Sequence, residues 1–341
     1  MDHKTFDVAV LGATGTVGEA MLSILEERGF PVRRLYALAS HRSAGETVLF
    51  KNKSLMVEDV EFFDFSKVQI GFFSAGSAVS AIYAPKAAAA GCVVIDNTAQ
   101  FRQTPEVPLI VPEINAERIA DFHSRNIIAN PNCSTIQMLI ALKPIYDAVG
   151  ITRINIATYQ SVSGTGKGGI EELMNQFREL LNGRSIESKV YPKQIAFNIL
   201  PQIDVFQDNG YTREEMKMVW ETQKIFDDPF ICVNATAVRV PVFYGHSEAL
   251  HIETRQKISA EAARELLAKA PGIIVMDKNE RGEYPTPVPE ASGTDAVYVG
   301  RIREDISHPL GLNLWVVCDN VRKGAALNAI QIAEILVNRY L

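Results

Sequence analysis

Seven residues near the start of the chain, Gly12-Ala13-Thr14-Gly15-Thr16-Val17-Gly18, join an apolar run, Phe6 to Leu11, to a stretch with helical spacing of apolar residues. That stretch carries Ala20, Met21, Ile24 and Leu25 and stops at Gly29. A glycine-rich turn between a buried strand and a helix commits the start of the chain to a strand-turn-helix unit. It also brings backbone N–H groups and the positive end of a helix to one point, where a pyrophosphate can approach closely. The spacing is GxxGxxG, one residue wider than the common dinucleotide fingerprint. The competing reading is an ordinary tight turn.

The next hundred residues favour the nucleotide reading. Arg33–Ala39, Val68–Ser74 and Cys92–Asp96 read as further strands, and Ala78–Ala90 as an alanine-rich helix. Strand and helix alternate as far as residue 130, the signature of a parallel sheet covered on both faces. The pattern changes after residue 150. Ile151–Val162 is a long alternating strand, followed by a glycine-rich loop, Gly164–Gly169, and a helix from Ile170 to Leu181. Val233–Val242 and Ala249–Lys257 read as two long antiparallel strands, and Val297–Ile302 and Asn313–Val317 as two more. Gly324–Tyr340 is amphipathic and is expected to return to the first domain. The expected fold is a Rossmann-type doubly wound α/β domain, residues 1–132 with 320–341, plus an α+β domain with a mostly antiparallel sheet, residues 133–319.

Composition narrows the function. The net charge of −6, with no long basic run, argues against nucleic acid as a partner. No apolar run reaches the length of a membrane span, and none near Met1 resembles a secretory core, so the expected location is the cytoplasm. The four cysteines, Cys92, Cys133, Cys232 and Cys318, are scattered without a CxxC pair, so no metal site is expected. Cys92 and Cys318 lie in apolar runs and read as buried core residues. Cys133 does not: its neighbours are Asn130, Pro131, Asn132, Ser134 and Thr135, and the helical run Ile136–Ile145 comes next. A thiol at a helix start has its thiolate stabilised and lies beside N–H groups suited to an oxyanion.

A thiol nucleophile calls for a base. His3 is terminal, and His41, His123 and His308 lie in loop-like or surface contexts. His246, after Tyr244-Gly245, and His251, inside the next strand, remain; a strand histidine is more readily a satisfied sheet residue. The residues after the second strand, Ser40-His41-Arg42-Ser43, include no acid for a ribose 2′-hydroxyl but do include a guanidinium and two hydroxyls, which favours NADP. A second turn, Ser74-Ala75-Gly76, suits the same ligand.

These motifs, in this order, resemble the aspartate-β-semialdehyde dehydrogenase family over nearly the whole chain. The resemblance runs through Asp96-Asn97-Thr98, Phe101-Arg102, Val111-Pro112-Glu113-Ile114-Asn115, Asn130–Cys133, Tyr159–Gly164, Arg239-Val240-Pro241, His246-Ser247 and Lys323–Asn328. It implies Cys133 as nucleophile, His246 as acid/base and Gln160 as an orienting residue. It implies Arg239 for the substrate carboxylate, Glu214 for its amine, and Asn132 nearby. Arg102 and Lys217 would bind phosphate. Gly12 to Val17, Ser40, Arg42, Ser43, Ser74, Ala75, Gly76, Ser163, Gly164 and Asn320 would bind NADP. The implied substrates are aspartate semialdehyde and phosphate, the pathway lysine, threonine, methionine and isoleucine synthesis, and the assembly a homodimer or homotetramer. A related acyl-phosphate reductase acting on an N-acetyl-glutamyl phosphate is the nearest rival, and Glu214, an acid for a free amine, speaks against it. A non-catalytic relative on the same fold is the rival from another class, and would be expected to lose Cys133 or His246.

Overall fold

The apolar run at the start forms β1 (Phe6–Leu11), buried along its whole length, and the glycine turn leads into α1 (Thr16–Glu27). The computed structural model describes residues 4–341, so His3 lies outside the described residues. The chain divides into two units, one running to Pro131 and resuming at Ala325–Leu341, the other spanning Asn132–Gly324.

In the first unit, β2 (Val32–Ala39) lies parallel to β1. A small hairpin, β3 (Thr47–Phe50) and β4 (Lys53–Met56), and the two-residue β5 (Glu58–Asp59) come after it. Next are β6 (Ile70–Phe73), α2 (Ser77–Ala89), β7 (Val93–Asp96), the short α3 (Pro112–Asn115) and β8 (Ile127–Ala129). The sheet order is β5-β2-β1-β6-β7-β8, all parallel. The chain winds outward in both directions from β1 and β6, and the turns after these two strands meet at the carboxyl edge, where open α/β sheets take their ligands.

The second unit starts with α4 (Cys133–Val149), β9 (Ile151–Gln160), α5 (Lys167–Leu181) and α6 (Arg213–Phe226). It continues through β10 (Cys232–Arg239), β11 (His246–Thr254), α7 (Ala260–Lys269), β12 (Ile273–Val275), β13 (Val297–Glu304) and β14 (Gly311–Cys318). The order is β10-β9-β11-β14-β13-β12. The three central pairings are antiparallel and the two outer ones parallel, so the sheet is mixed. The strands expected to be antiparallel, β10 and β11, do run in opposite directions, with β9 between them. Their alternation reports which face is buried and carries no information about neighbours. Helix α4 is apolar almost all round and is buried between this sheet and α6 and α7.

The last helix, α8 (Leu327–Arg339), belongs to the first unit, where Leu327, Ile330, Ile332 and Leu336 join Met21, Ile24 and Leu25 of α1 in one core. Cys92 and Cys318 are buried, as read from their apolar surroundings, whereas Cys232 is exposed on the edge strand β10. Among the described residues no helix is long and apolar enough to cross a membrane, and no group of His, Cys, Asp and Glu is arranged to hold a metal ion.

Two glycines of the first turn are there for want of space. A Cβ on Gly12, whose φ is +90°, would stand 2.9 Å from the Ser74 carbonyl carbon, and one on Gly18 would stand 2.1 Å from the Gly12 oxygen. Gly18→Ala is therefore expected to cost about 1–3 kcal/mol through overpacking, read as a lower midpoint in denaturant unfolding. An unchanged midpoint would contradict this tight packing of helix on turn.

Candidate active site

The site in the second unit is organised around the start of α4. Asn132 caps that helix: its side-chain oxygen accepts the N–H groups of Ser134 (3.0 Å) and Thr135 (3.2 Å). Cys133 is thus the first helical residue, half-buried, as its polar neighbours suggested. Two carboxyl groups from α6 hold the cap. Glu214 Oε1 accepts the Asn132 side-chain amide at 2.9 Å, and Glu221 Oε2 accepts its backbone N–H at 2.6 Å. Helix α6 is placed by its own capping box, Thr212 with Glu215.

Gln160, the last residue of β9, donates through Nε2 to Ser134 Oγ at 3.0 Å, with Thr158 Oγ1 and Glu214 Oε1 each at 3.3 Å. Glu214 also pairs with Lys217 at 2.9 Å, and Lys217 reaches Asp204 at 3.0 Å. Burial would raise the Glu214 pKa, but Lys217, the Asn132 amide and Arg239 outweigh it and bring the carboxyl down to about 2. Glu214 is therefore an anion at neutral pH, as an ammonium partner requires.

Arg239 ends β10, next to Gln160 across the parallel pair. Its Nη1 donates to the Ser161 carbonyl at 2.7 Å, while Nε is buried with no hydrogen-bond partner among the described residues, and no carboxylate pairs with it there. A buried guanidinium left this way is a site for an incoming anion. His246 opens β11 and is fully buried. Its Nδ1 faces the Ser161 N–H at 3.1 Å, and its Nε2 has no partner among the described residues. Burial first, then the Arg239 charge, push its pKa down to about 3 against the opposing pull of Glu214. The rival histidine, His251, is a satisfied sheet residue, held by Asn155 and Asp305.

Three further residues inferred from the sequence line the same region. Ser163 and Asn320 belong to a buried polar cluster with Ser161. Gly164 lies against Arg239 and His246: a Cβ there would be 3.0 Å from Arg239 Nη1. Gly324 lies against Cys133, since its Cβ would be 3.0 Å from that of Cys133, which gives the Lys323–Asn328 motif a steric reason. Ser134, Ser161 and Glu221 were not anticipated. The Thr212-x-x-Glu215 box could have revealed α6, and the seven-residue spacing of Glu214 and Glu221 its inward face.

In the first unit, Gly12 and Ala13 bond through their N–H groups to Leu38, which brings the glycine turn beside the Ser40–Ser43 turn. Ser74 N–H bonds to Leu11, bringing in the Ser74-Ala75-Gly76 turn. No side chain caps α1, and the Thr16 hydroxyl in its first turn is buried without a partner among the described residues. Polar groups so placed fit a pyrophosphate. Gly15 and Val17 complete the turn beside Thr14, and Arg42 is exposed without an ion pair among the described residues. Arg102 is buried and braces two carbonyls, those of Asn97 and Asn130, each at 2.9 Å.

Comparisons with known proteins agree with this chemistry. Residues 7–122 match the family described as semialdehyde dehydrogenase, NAD binding domain, and residues 142–323 the semialdehyde dehydrogenase, dimerisation domain. An aspartate-semialdehyde dehydrogenase of Shewanella violacea is 66% identical over 99% of both chains. One of Legionella pneumophila is 63% identical over 99% of this chain and 97% of its own. A crystal structure of aspartate semialdehyde dehydrogenase II from Vibrio cholerae, complexed with ASA, is 61% identical over 99% of this chain and 100% of its own, with a TM-score of 0.97.

The depressed His246 pKa has a consequence for stability. Between 6.5 and about 3 the unfolded chain binds a proton that the folded chain does not, so this group removes stability as pH falls. Between pH 6.5 and 4.5, above the Glu214 window, the protein is expected to lose about 2 kcal/mol more than His246→Gln. Denaturant unfolding at the two pH values measures this, and equal losses would contradict a buried, neutral His246.

Proposed function

Because the chain belongs to the aspartate-semialdehyde dehydrogenase family, we propose that it reduces aspartyl phosphate to aspartate semialdehyde, and reverses the reaction, through a thioester on Cys133. The observation that carries this reading is the pairing, on one wall of the second unit, of an ionised buried carboxyl, Glu214, with a buried guanidinium that has no carboxylate partner, Arg239. An amino acid has an ammonium and a carboxylate at one end, and these two groups match them. Its other end is then presented to Cys133 at the head of α4 and to His246 Nε2.

In the oxidative direction the Cys133 sulfur attacks the aldehyde carbon. The thiohemiacetal gives up hydride, and phosphate displaces the sulfur from the resulting thioester. Asn132 and Gln160 fix the start of α4 relative to Glu214, so the nucleophile and the amine-binding group share one frame. Arg102 and Lys217 supply cationic charge for phosphate. The protein uses a nicotinamide cofactor, which when bound accepts or supplies the hydride. Gly12–Val17, Ser74, Ala75 and Gly76 would hold its pyrophosphate, and Ser40, Arg42 and Ser43 would hold a 2′-phosphate, which favours NADP; in the second unit, Ser163, Gly164 and Asn320 are the residues that the family resemblance implies for the cofactor. The cofactor domain is residues 1–132 with 320–341, and the catalytic domain residues 133–319. The enzyme works in the cytoplasm, where its thiols stay reduced.

The chain's oligomerisation rests on the dimerisation domain that residues 142–323 match. A homodimer formed through the outer face of the mixed sheet is supported by Tyr159, 38% exposed and packed on Trp315, and by the half-buried Ala157 and Ala249, which pair with each other on the same face.

Cys133→Ala is expected to abolish phosphate-dependent reduction of NADP by aspartate semialdehyde, and full turnover by that variant would refute the thioester route. Arg42→Ala is expected to raise KM for NADP about tenfold or more while leaving that for NAD within about twofold; equal changes would argue against a 2′-phosphate contact. Ala249→Arg, on the outer sheet face, is expected to give a monomer by light scattering, and an intact dimer would place the interface elsewhere.

A further inference from the structure

Three pieces of sequence that the chemistry above leaves without a role meet in the first unit. They are Asp96-Asn97-Thr98 at the end of β7, Asn130 just after β8, and Asn328 near the start of α8. Hydrogen bonds join them. The Asp96 carboxyl accepts Ser80 Oγ at 2.8 Å, Thr98 Oγ1 at 2.9 Å and the Thr98 N–H at 3.1 Å, which fixes the turn that carries Asn97. The Asp96 carbonyl accepts the Asn130 N–H at 2.8 Å. Asn130 and Asn328 are fully buried, and Asn97 is half-buried.

Both hydrogens of the Asn130 amide are used. Nδ2 donates to Asn97 Oδ1 at 2.5 Å and to the Ala325 carbonyl at 3.2 Å, while Oδ1 accepts Asn328 Nδ2 at 2.7 Å. Asn328 Nδ2 also donates to the Ile110 carbonyl at 3.0 Å. A backbone carbonyl can only accept, so Ala325 and Ile110 settle which way each amide faces. An aspartate in place of Asn130 or Asn328 would set oxygen against oxygen.

The guanidinium of Arg102 is mounted on this network. Its Nε donates to the Asn130 carbonyl and its Nη2 to the Asn97 carbonyl, each at 2.9 Å. A guanidinium is planar and presents its donors as a rigid fork, so two acceptors fix its plane and the direction of every other N–H it carries. The spacing of those two carbonyls is set by the side-chain bond from Asn130 to Asn97, and Asn130 is held in turn by Asn328.

We propose that Asn97, Asn130 and Asn328 are positioning residues that aim the Arg102 guanidinium at phosphate, so that α8 bears on the step in which phosphate meets the thioester. This rests on the reading of Arg102 as a phosphate ligand. In the oxidative direction the thioester forms before phosphate is needed. A phosphate oxygen then bonds to the acyl carbon, the C–S bond breaks, and its electron pair leaves with the sulfur as thiolate. A misaimed Arg102 therefore slows capture of the thioester and leaves its formation unchanged.

The test uses the full-length enzyme with aspartate semialdehyde, NADP and inorganic phosphate. Asn97→Ala removes the acceptor for Asn130 but keeps the carbonyl that holds Arg102, at a half-buried position where the fold is least at risk. It is expected to lower kcat/KM for phosphate about tenfold or more, while the rate of NADPH formation in a burst without phosphate stays within about twofold. Asn328→Ala is expected to show the same split, with a lower midpoint in denaturant unfolding. Arg102→Ala alone is expected to lower kcat/KM for phosphate about 10²-fold. Adding Asn97→Ala to it is expected to change that value by less than about twofold, because the asparagine acts through the guanidinium. Equal falls in the burst and in kcat/KM for phosphate, or full additivity with Arg102→Ala, would show a merely structural role and overturn the proposal. An unchanged kcat/KM in Arg102→Ala would sink the phosphate reading of Arg102 itself, whereas a large fall there with none in Asn97→Ala would sink only the positioning role.

Discussion

Asn132 is the joint on which the second unit depends. One oxygen caps α4 and so sets where the helix begins, which makes Cys133 its first residue. Its two donors reach across to Glu214 and Glu221 of α6. An asparagine cap alone is worth about 0.5–2 kcal/mol. Hydrogen bonds to buried carboxyl groups are stronger than neutral ones, because an unmet partner would be stranded in a medium of low polarity. The placement of Cys133 and the placement of the Glu214 carboxyl are therefore one structural decision. Gln160 repeats the link from the sheet side by bonding to Ser134 and to Glu214.

The buried groups divide into those satisfied by the protein and those left open. Glu214, Gln160 and Asn132 are engaged, which fixes the frame. Arg239 Nε and His246 Nε2 are open. A fold tolerates such groups where a ligand is to complete them, at some cost in stability. The first unit obeys the same rule at the start of α1, where the Thr16 hydroxyl has no partner among the described residues and no side chain caps the helix. Its glycines serve close packing as much as ligand approach, Gly12 against the Ser74 segment and Gly18 against Gly12 itself.

Much of this was legible in the sequence, for reasons that differ from element to element. The strand-turn-helix start and the last helix carry strong periodic patterns, and the structure has them within a few residues. Cys133 stood out because polar neighbours contradict burial as core. The pairing of β10 with β9 was not legible, since partners across a sheet leave no mark on either strand alone. Strands β3, β4 and β5, of four, four and two residues, are too short for a periodic pattern to stand out. Arg239 and Glu214 came from family resemblance, because a lone Arg or Glu in a sequence is more often a surface charge. Ser161 was beyond sequence reading altogether. It acts on His246 through its backbone N–H, a group every residue but proline possesses.

The covalent route through Cys133 is tested most directly by withholding phosphate. Enzyme mixed with aspartate semialdehyde and NADP alone should give a burst of about one NADPH per active site and then stop. Digestion at that point should yield a single peptide, the one containing Cys133, heavier by one aspartyl group. Steady turnover without phosphate, or a burst that leaves Cys133 unmodified, would contradict it.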